Sequence, residues 1–149
     1  MATLTTQFQS SELSRNSLRV FSAAEQAPVL VTRRDGEDLV LMTERESDAR
    51  RELLNLAAQL IAVTTDDRGS LAERMANIFG WMHALTPEGQ AKCAISLVNA
   101  ARASFATEQA HLAIAELTAW RETALALAAG LGQEPVEWLE YSETVARPE

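Results

Sequence analysis

The segment Pro28–Met42, PVLVTRRDGEDLVLM, constrains this chain more than any other. Two apolar runs, Val29–Thr32 and Leu39–Met42, flank the polar stretch Arg33–Asp38, with Asp35-Gly36 at its centre. Asp-Gly tolerates the positive φ angles of a two-residue type I′ turn, and between β-rich runs it is a strong hairpin signal. Pro28 suits the first residue of a strand, where its missing N–H costs no ladder bond. Nearly every strand position is apolar, so both hairpin faces call for cover, one of them by a helix. A lone hairpin is marginal in water, so the rest of the chain has to supply that cover.

Ahead of the hairpin, residues 2–6, ATLTT, read as an edge strand, and Ser10-Ser11 offer capping hydroxyls to a helix. Leu13, Val20, Phe21 and Ala24 share one face of that helix, with Ser14, Arg15 and Arg19 nearer another. Three turns are expected, ending before Pro28, which disfavours α geometry in its predecessor. The result is a strand–helix–hairpin module too small to be secure alone. It should pair with a second copy or lean on the rest of the chain.

After Thr43 the strand signals stop. Glu44–Thr65 reads as one helix, with Leu53, Ala57, Leu60 and Thr64 on its buried face and Leu54, Ala58 and Ile61 widening that stripe. Asp66–Gly69 breaks it. A second helix carries Leu71, Met75, Ile78, Met82 and Leu85. Thr86-Pro87 opens a third with a capping hydroxyl and Pro at the first helical position; its buried set is Ala94, Leu97, Val98, Ala101 and Phe105. The fourth buries Ala113, Leu117, Trp120, Ala124, Leu127 and Leu131 and stops at Gly130 or Gly132. A short last helix from Pro135 would bury Trp138 and Leu139. Amphipathic helices with short connections form an antiparallel bundle. The fold class is therefore α+β, a module over residues 1–46 followed by an all-α domain over 47–145.

With 47% hydrophobic and 23% charged residues, the 149-residue chain can bury a sizeable core. No apolar run reaches membrane-spanning length and no signal-peptide pattern opens the chain, which points to the cytoplasm without membrane association. One cysteine, Cys93, excludes an internal disulfide framework. The net charge of −8 is uneven: four arginines face two acids through Arg34, and six basic residues face thirteen acidic ones from Glu52 onward. Such asymmetry suggests two surfaces with different partners, although a solvated acidic bundle would look the same.

Catalytic patterns are scarce. Glu108-x-x-His111 has a spacing used in di-metal bundles, but no second copy accompanies it. Cys93 lies on the apolar stripe of its helix, where cysteine is commonly a small buried hydrophobe. Trp81, Trp120 and Trp138 are expected in the core. No enzyme, metal or cofactor is expected. The residues without an evident structural role are Arg15, Asn16, Arg19, Arg33 and Arg34. Their planar, directional donors suit phosphates and base edges, but on spacing alone a solvated helix and hairpin tip, with Arg34 paired across the strands to Glu37, is the favoured account of them.

The stretch from Glu12 to Glu46 resembles the Phd/YefM (prevent-host-death) antitoxins: Ser14-Arg15-Asn16 at a helix start, Pro28–Arg33 and Gly36 in the hairpin, then Leu39–Met42 and an acidic helix start. The resemblance spans about residues 3–46. It implies a homodimer or higher homo-oligomer whose N-terminal modules bind operator DNA as an autorepressor. It also implies a C-terminal part that neutralises a cognate toxin, of the RelE or Doc type. Carried over by position, Arg15 and Asn16 are the expected DNA contacts, supported by Ser14, Arg19 and Arg33. The tail departs from the family, which carries a short segment ordered on its toxin; here it looks able to fold alone. The alternative is a transcriptional regulator without a toxin, its bundle serving oligomerisation or another protein.

Overall fold

Strand β1 (Gln7–Gln9), helices α1 (Glu12–Arg15) and α2 (Ser17–Gln26), and strands β2 (Val29–Thr32) and β3 (Leu39–Leu41) build the first layer pair in a computed structural model that describes residues 6–132. The sheet order is β1-β2-β3, with β1 parallel and β3 antiparallel to the central strand. Side chains alternate across a strand, so Phe8, Val29 and Val31 face α2 and are buried with Val20 and Ala24. Burial of Phe8, Val20, Val29 and Val31 contributes about 1.5–3 kcal/mol each relative to exposure, and the smaller Ala24 less.

The expected strand–helix–hairpin order is present, with differences that have physical causes. The first described strand is Gln7–Gln9; the strand expected at residues 2–6 lies, apart from Thr6, outside the described residues. The single helix is two, broken at Asn16 (φ −146°, ψ 48°), and Phe21 is half-exposed because it lies to one side of the Val20–Ala24 contact face. The type I′ turn does not form. Strand pairing stops at Val31↔Leu39, too early for a two-residue loop, and Gly36 has no positive φ. The loop closes instead through Asp38, whose Oδ1 accepts from the Arg33 N–H at 3.2 Å. The Arg33 guanidinium lies over Gly36, 3.1 Å from where a Cβ would sit, and as the end of an exposed side chain it could move aside. Among the described residues the second face of the hairpin is only partly covered: Val40 is exposed, and with the half-buried Leu30 it borders an open cleft of about 620 Å³.

Helix α3 (Glu44–Thr65) runs directly out of β3, capped by Thr43, whose Oγ1 accepts from the Glu46 N–H. Helices α4 (Leu71–Ile78), α5 (Pro87–Thr107) and α6 (His111–Ala128) follow, with a 3₁₀ turn over Gly80–Ala84. They enclose a second core around Leu56, Met75, Met82, Cys93, Leu97 and Leu117, with Trp81 and Trp120 at its margin. The expected second helix is interrupted at Phe79, which is buried, and Ile78 is left partly outside. Phe105, expected inside, is exposed. Leu131 is exposed too, beyond a helix end that Gly130 (φ 84°) closes by turning left-handed. Leu54, Ala58 and Ile61 do not widen the buried stripe of α3; they lie opposite it. The proposed helix from Pro135, with Trp138 and Leu139, lies outside the described residues. Among the described residues no helix is long and apolar enough to cross a membrane.

Helix boundaries follow local chemistry. A capping box opens α4: Ser70 Oγ accepts from the Glu73 N–H, and Glu73 Oε2 accepts from the Ser70 N–H at 2.7 Å. That bond holds the Glu73 carboxyl below its ordinary value. At the α5–α6 corner no side chain of the Ala110 cap position serves α6. Ser104, fully buried on α5, takes over by accepting from the Ala113 N–H at 3.0 Å. Its own carbonyl accepts from the Gln109 N–H at 3.1 Å, and Glu108 makes the reversal in the left-handed region (φ 56°, ψ 28°).

Three outcomes follow for thermal and chemical denaturation. Ser104→Ala strands a buried N–H and should cost about 1–3 kcal/mol. Glu108→Gly removes the left-handed penalty and should stabilise by roughly 0.5–1 kcal/mol. Because the folded Glu73 carboxyl titrates low, its contribution is complete above the ordinary carboxylate range and is lost as pH falls through the lowered value. Wild type and Glu73→Gln should therefore converge in melting temperature on acidification.

Candidate nucleic-acid interface

Parallel pairing brings the ends of β1 and β2 together, and with them the residues that follow each strand. Gln9 stands opposite Thr32, the Ser10 N–H donates to the Thr32 carbonyl at 2.9 Å, and Thr32 Oγ1 donates to the Phe8 carbonyl at 3.2 Å. Helix α1 begins just after Ser10, and the hairpin loop begins at Arg33. Ser14, Arg15 and Asn16 are thus carried to the same end of the sheet as Arg33, although they are distant in sequence.

Each side chain has a distinct situation there. Ser14 Oγ donates to the Ser11 carbonyl at 3.0 Å, so its hydroxyl is engaged within α1. Arg15 is exposed in the last turn of α1. Asn16 is exposed at the break, and its side chain caps nothing. Beyond it α2 starts with no acidic residue in its first turn, leaving its N–H groups and the positive end of its dipole without a side-chain acceptor. The Arg19 guanidinium lies 5.6 Å from the centroid of the Phe8 ring, a cation–π contact that holds it beside β1. Arg33 folds over Gly36.

Among the described residues none of Arg15, Arg19, Arg33 or Arg34 forms an ion pair; the three ion pairs are Arg50–Glu46, Arg51–Asp48 and Arg68–Asp66. Arg34 is not joined to Glu37. The loop also carries Asp35, Glu37 and Asp38, which offset its two arginines. Glu12, whose Oε2 accepts from the Gln9 N–H at 2.8 Å, adds a fourth carboxylate at this end, so what distinguishes it is the placement of the exposed Arg15 and Arg19 beside the uncapped start of α2 rather than a net positive charge. Such a group can hold an anionic oxygen through backbone N–H donors and guanidinium together. The uncapped start of α2 at Ser17 escapes sequence reading, because only the unforeseen break at Asn16 creates it.

Elsewhere the polar groups have local explanations. Burial pushes the Cys93 thiol up to about 12, aided by the charge of Glu116. Arg68 bonds both oxygens of Asp66 and holds that carboxyl below its usual value. Among the described residues no three His, Cys, Asp or Glu side chains come together. No family model matches the chain, and neither curated proteins nor solved structures give a match.

The two helix arginines should behave differently in the free protein. Arg15→Ala should leave stability within about 0.5 kcal/mol, as exposed substitutions without partners do. Arg19→Ala should cost about 0.5–1 kcal/mol through loss of the contact with Phe8. Urea denaturation of the two variants checks this.

Proposed function

We propose that this chain is a non-enzymatic, dimeric DNA-binding repressor and the antitoxin of a toxin–antitoxin pair. The observation that carries the first half is the break at Asn16. It leaves an uncapped helix start between Arg15 and Arg19, neither of them in an ion pair among the described residues, at the sheet end shared with Arg33. Phosphate contacts from guanidinium and helix N-termini position a protein on DNA, and planar donors such as Arg15 and Asn16 can read base edges. Ser14 supports the turn through its bond to Ser11. The resemblance of residues 3–46 to Phd/YefM antitoxins points the same way and supplies the expectation of an operator and a toxin.

Dimerisation through the first module has a physical motive. Leu18, Phe21, Leu39 and Val40 are exposed apolar side chains on a module with only a small core of its own. The acidic second half, residues 47–145, is the proposed toxin-binding part, since a toxin acting on RNA carries basic charge. Complementary charge there would speed encounter more than it adds affinity. A second reading is a toxin-less regulator whose bundle serves oligomerisation; the apolar residues exposed on α3 favour it. Co-purification with the product of the adjacent gene separates the two.

DNA binding is tested by fluorescence anisotropy on a duplex from the chain's own upstream region at several salt concentrations. Arg15→Ala should lower the slope of log affinity against log salt by ~0.9 if Arg15 neutralises one phosphate. If it reads a base, the loss should be about 1–3 kcal/mol at one operator position. Full affinity in the Arg15→Ala, Arg33→Ala double variant would return both residues to ordinary solvated surface.

A further inference from the structure

Leu18 is the most exposed large apolar side chain among the described residues, at 80%. It packs against neither core. It lies in the first turn of α2, just past the break at Asn16 and next to the exposed Arg19. Val20, two residues on, is fully buried against the sheet. At 3.6 residues per turn the two stand about 200° apart, so Leu18 points almost straight away from its own module. Phe21, about 100° from Val20, is turned to the flank. The outward row that Leu18 begins does not continue, because Ser22 and Glu25 come next along it and both are polar and exposed. A helix pairing seam repeats apolar residues at that spacing. Here one apolar side chain stands by itself, and its chain neighbours are the polar donors Arg15, Asn16 and Arg19.

We infer that Leu18 reads the C5-methyl group of a thymine in the major groove, and so selects sequence at the surface proposed above to meet DNA. The inference rests on that DNA-binding reading. Thymine is the one base whose major-groove edge carries a methyl group, and an apolar side chain recognises it by contact. Recognition helices of helix-turn-helix proteins meet base edges with their N-terminal residues. At the start of α2 those residues are Ser17, Leu18 and Arg19, with Asn16 ahead of them. Guanidinium and amide donors bond phosphates and purine edges but gain nothing from a methyl group. Leu18 supplies the contact they lack. A partner helix would need the apolar row to run on, which Ser22 and Glu25 prevent. Leu18 thereby leaves the apolar set offered to a second copy, which keeps Phe21, Leu39 and Val40.

The test measures fluorescence anisotropy of the full chain on the duplex from its own upstream region, and on duplexes in which each thymine in turn becomes deoxyuridine. That replacement keeps the hydrogen bonds of the base pair and removes only the methyl group. Wild type should lose about fourfold in affinity at one thymine of each half-site, the worth of one buried methyl group. Leu18→Ala should lose at least as much on the thymine duplex, and nothing further when that thymine becomes deoxyuridine. Leu18 carries no charge, so its loss should leave the slope of log affinity against log salt as in wild type. Leu18→Ala and wild type should also share one urea midpoint and one mass by light scattering, because the side chain packs against neither core. Equal affinity of wild type for every deoxyuridine duplex overturns the inference and leaves the DNA-binding reading standing. So does a Leu18→Ala loss that couples to no thymine, or a lower mass for Leu18→Ala, which would place Leu18 in a contact between copies. Wild type that binds none of the duplexes overturns the DNA-binding reading and this inference together.

Discussion

The packing of Val20 and Ala24 on Phe8, Val29 and Val31 is the interaction on which the first module depends. It lays α2 across a parallel strand pair, which a hairpin alone cannot form, because parallel strands need a crossover. Once β1 and β2 run side by side, their ends coincide. Whatever follows each strand is then brought to one place, here a helix start and a loop. The cation–π contact of Arg19 with Phe8 ties the arginine-bearing end to the same core. Loosening that core would move the proposed DNA contacts apart without touching any of them.

The second half has a different character. Its helices are delimited by short-range chemistry: Thr43, the Ser70–Glu73 box, Thr86-Pro87, and the borrowed cap of Ser104. Its core is closed by Met75, Met82, Leu97 and small residues such as Ala94, Ala101 and Ala113, which let helices approach. Helix α3 belongs to this half by its inner face and leaves its outer face uncovered.

Where capping and turn chemistry were local, the sequence could be read almost to the residue. Glu44–Thr65 and the start at Pro87 match the expected spans. Reading failed where two answers share one local pattern. Leu53 and Leu54, or Leu60 and Ile61, satisfy helical spacing on either side of α3, and only the position of neighbouring helices chooses between them. Asp35-Gly36 satisfies a two-residue turn, but strand pairing ends too soon to use it. Asn16 sits inside a good helical pattern, yet the chain turns there to carry α2 back over the sheet. Of the candidate site, the residue types were legible. Their gathering was not, because it depends on a parallel register between strands separated by two helices.

One end of the β1–β2 pair, carrying Arg15, Asn16, Arg19 and Arg33, is the surface proposed to meet DNA. Amide hydrogen exchange of the full chain, with and without a duplex from its own upstream region, tests this most directly. Added protection should concentrate in residues 10–19 and 32–38 and leave α4 to α6 unchanged. Protection confined to residues 44–132, or no change at duplex concentrations that saturate the protein, would contradict it.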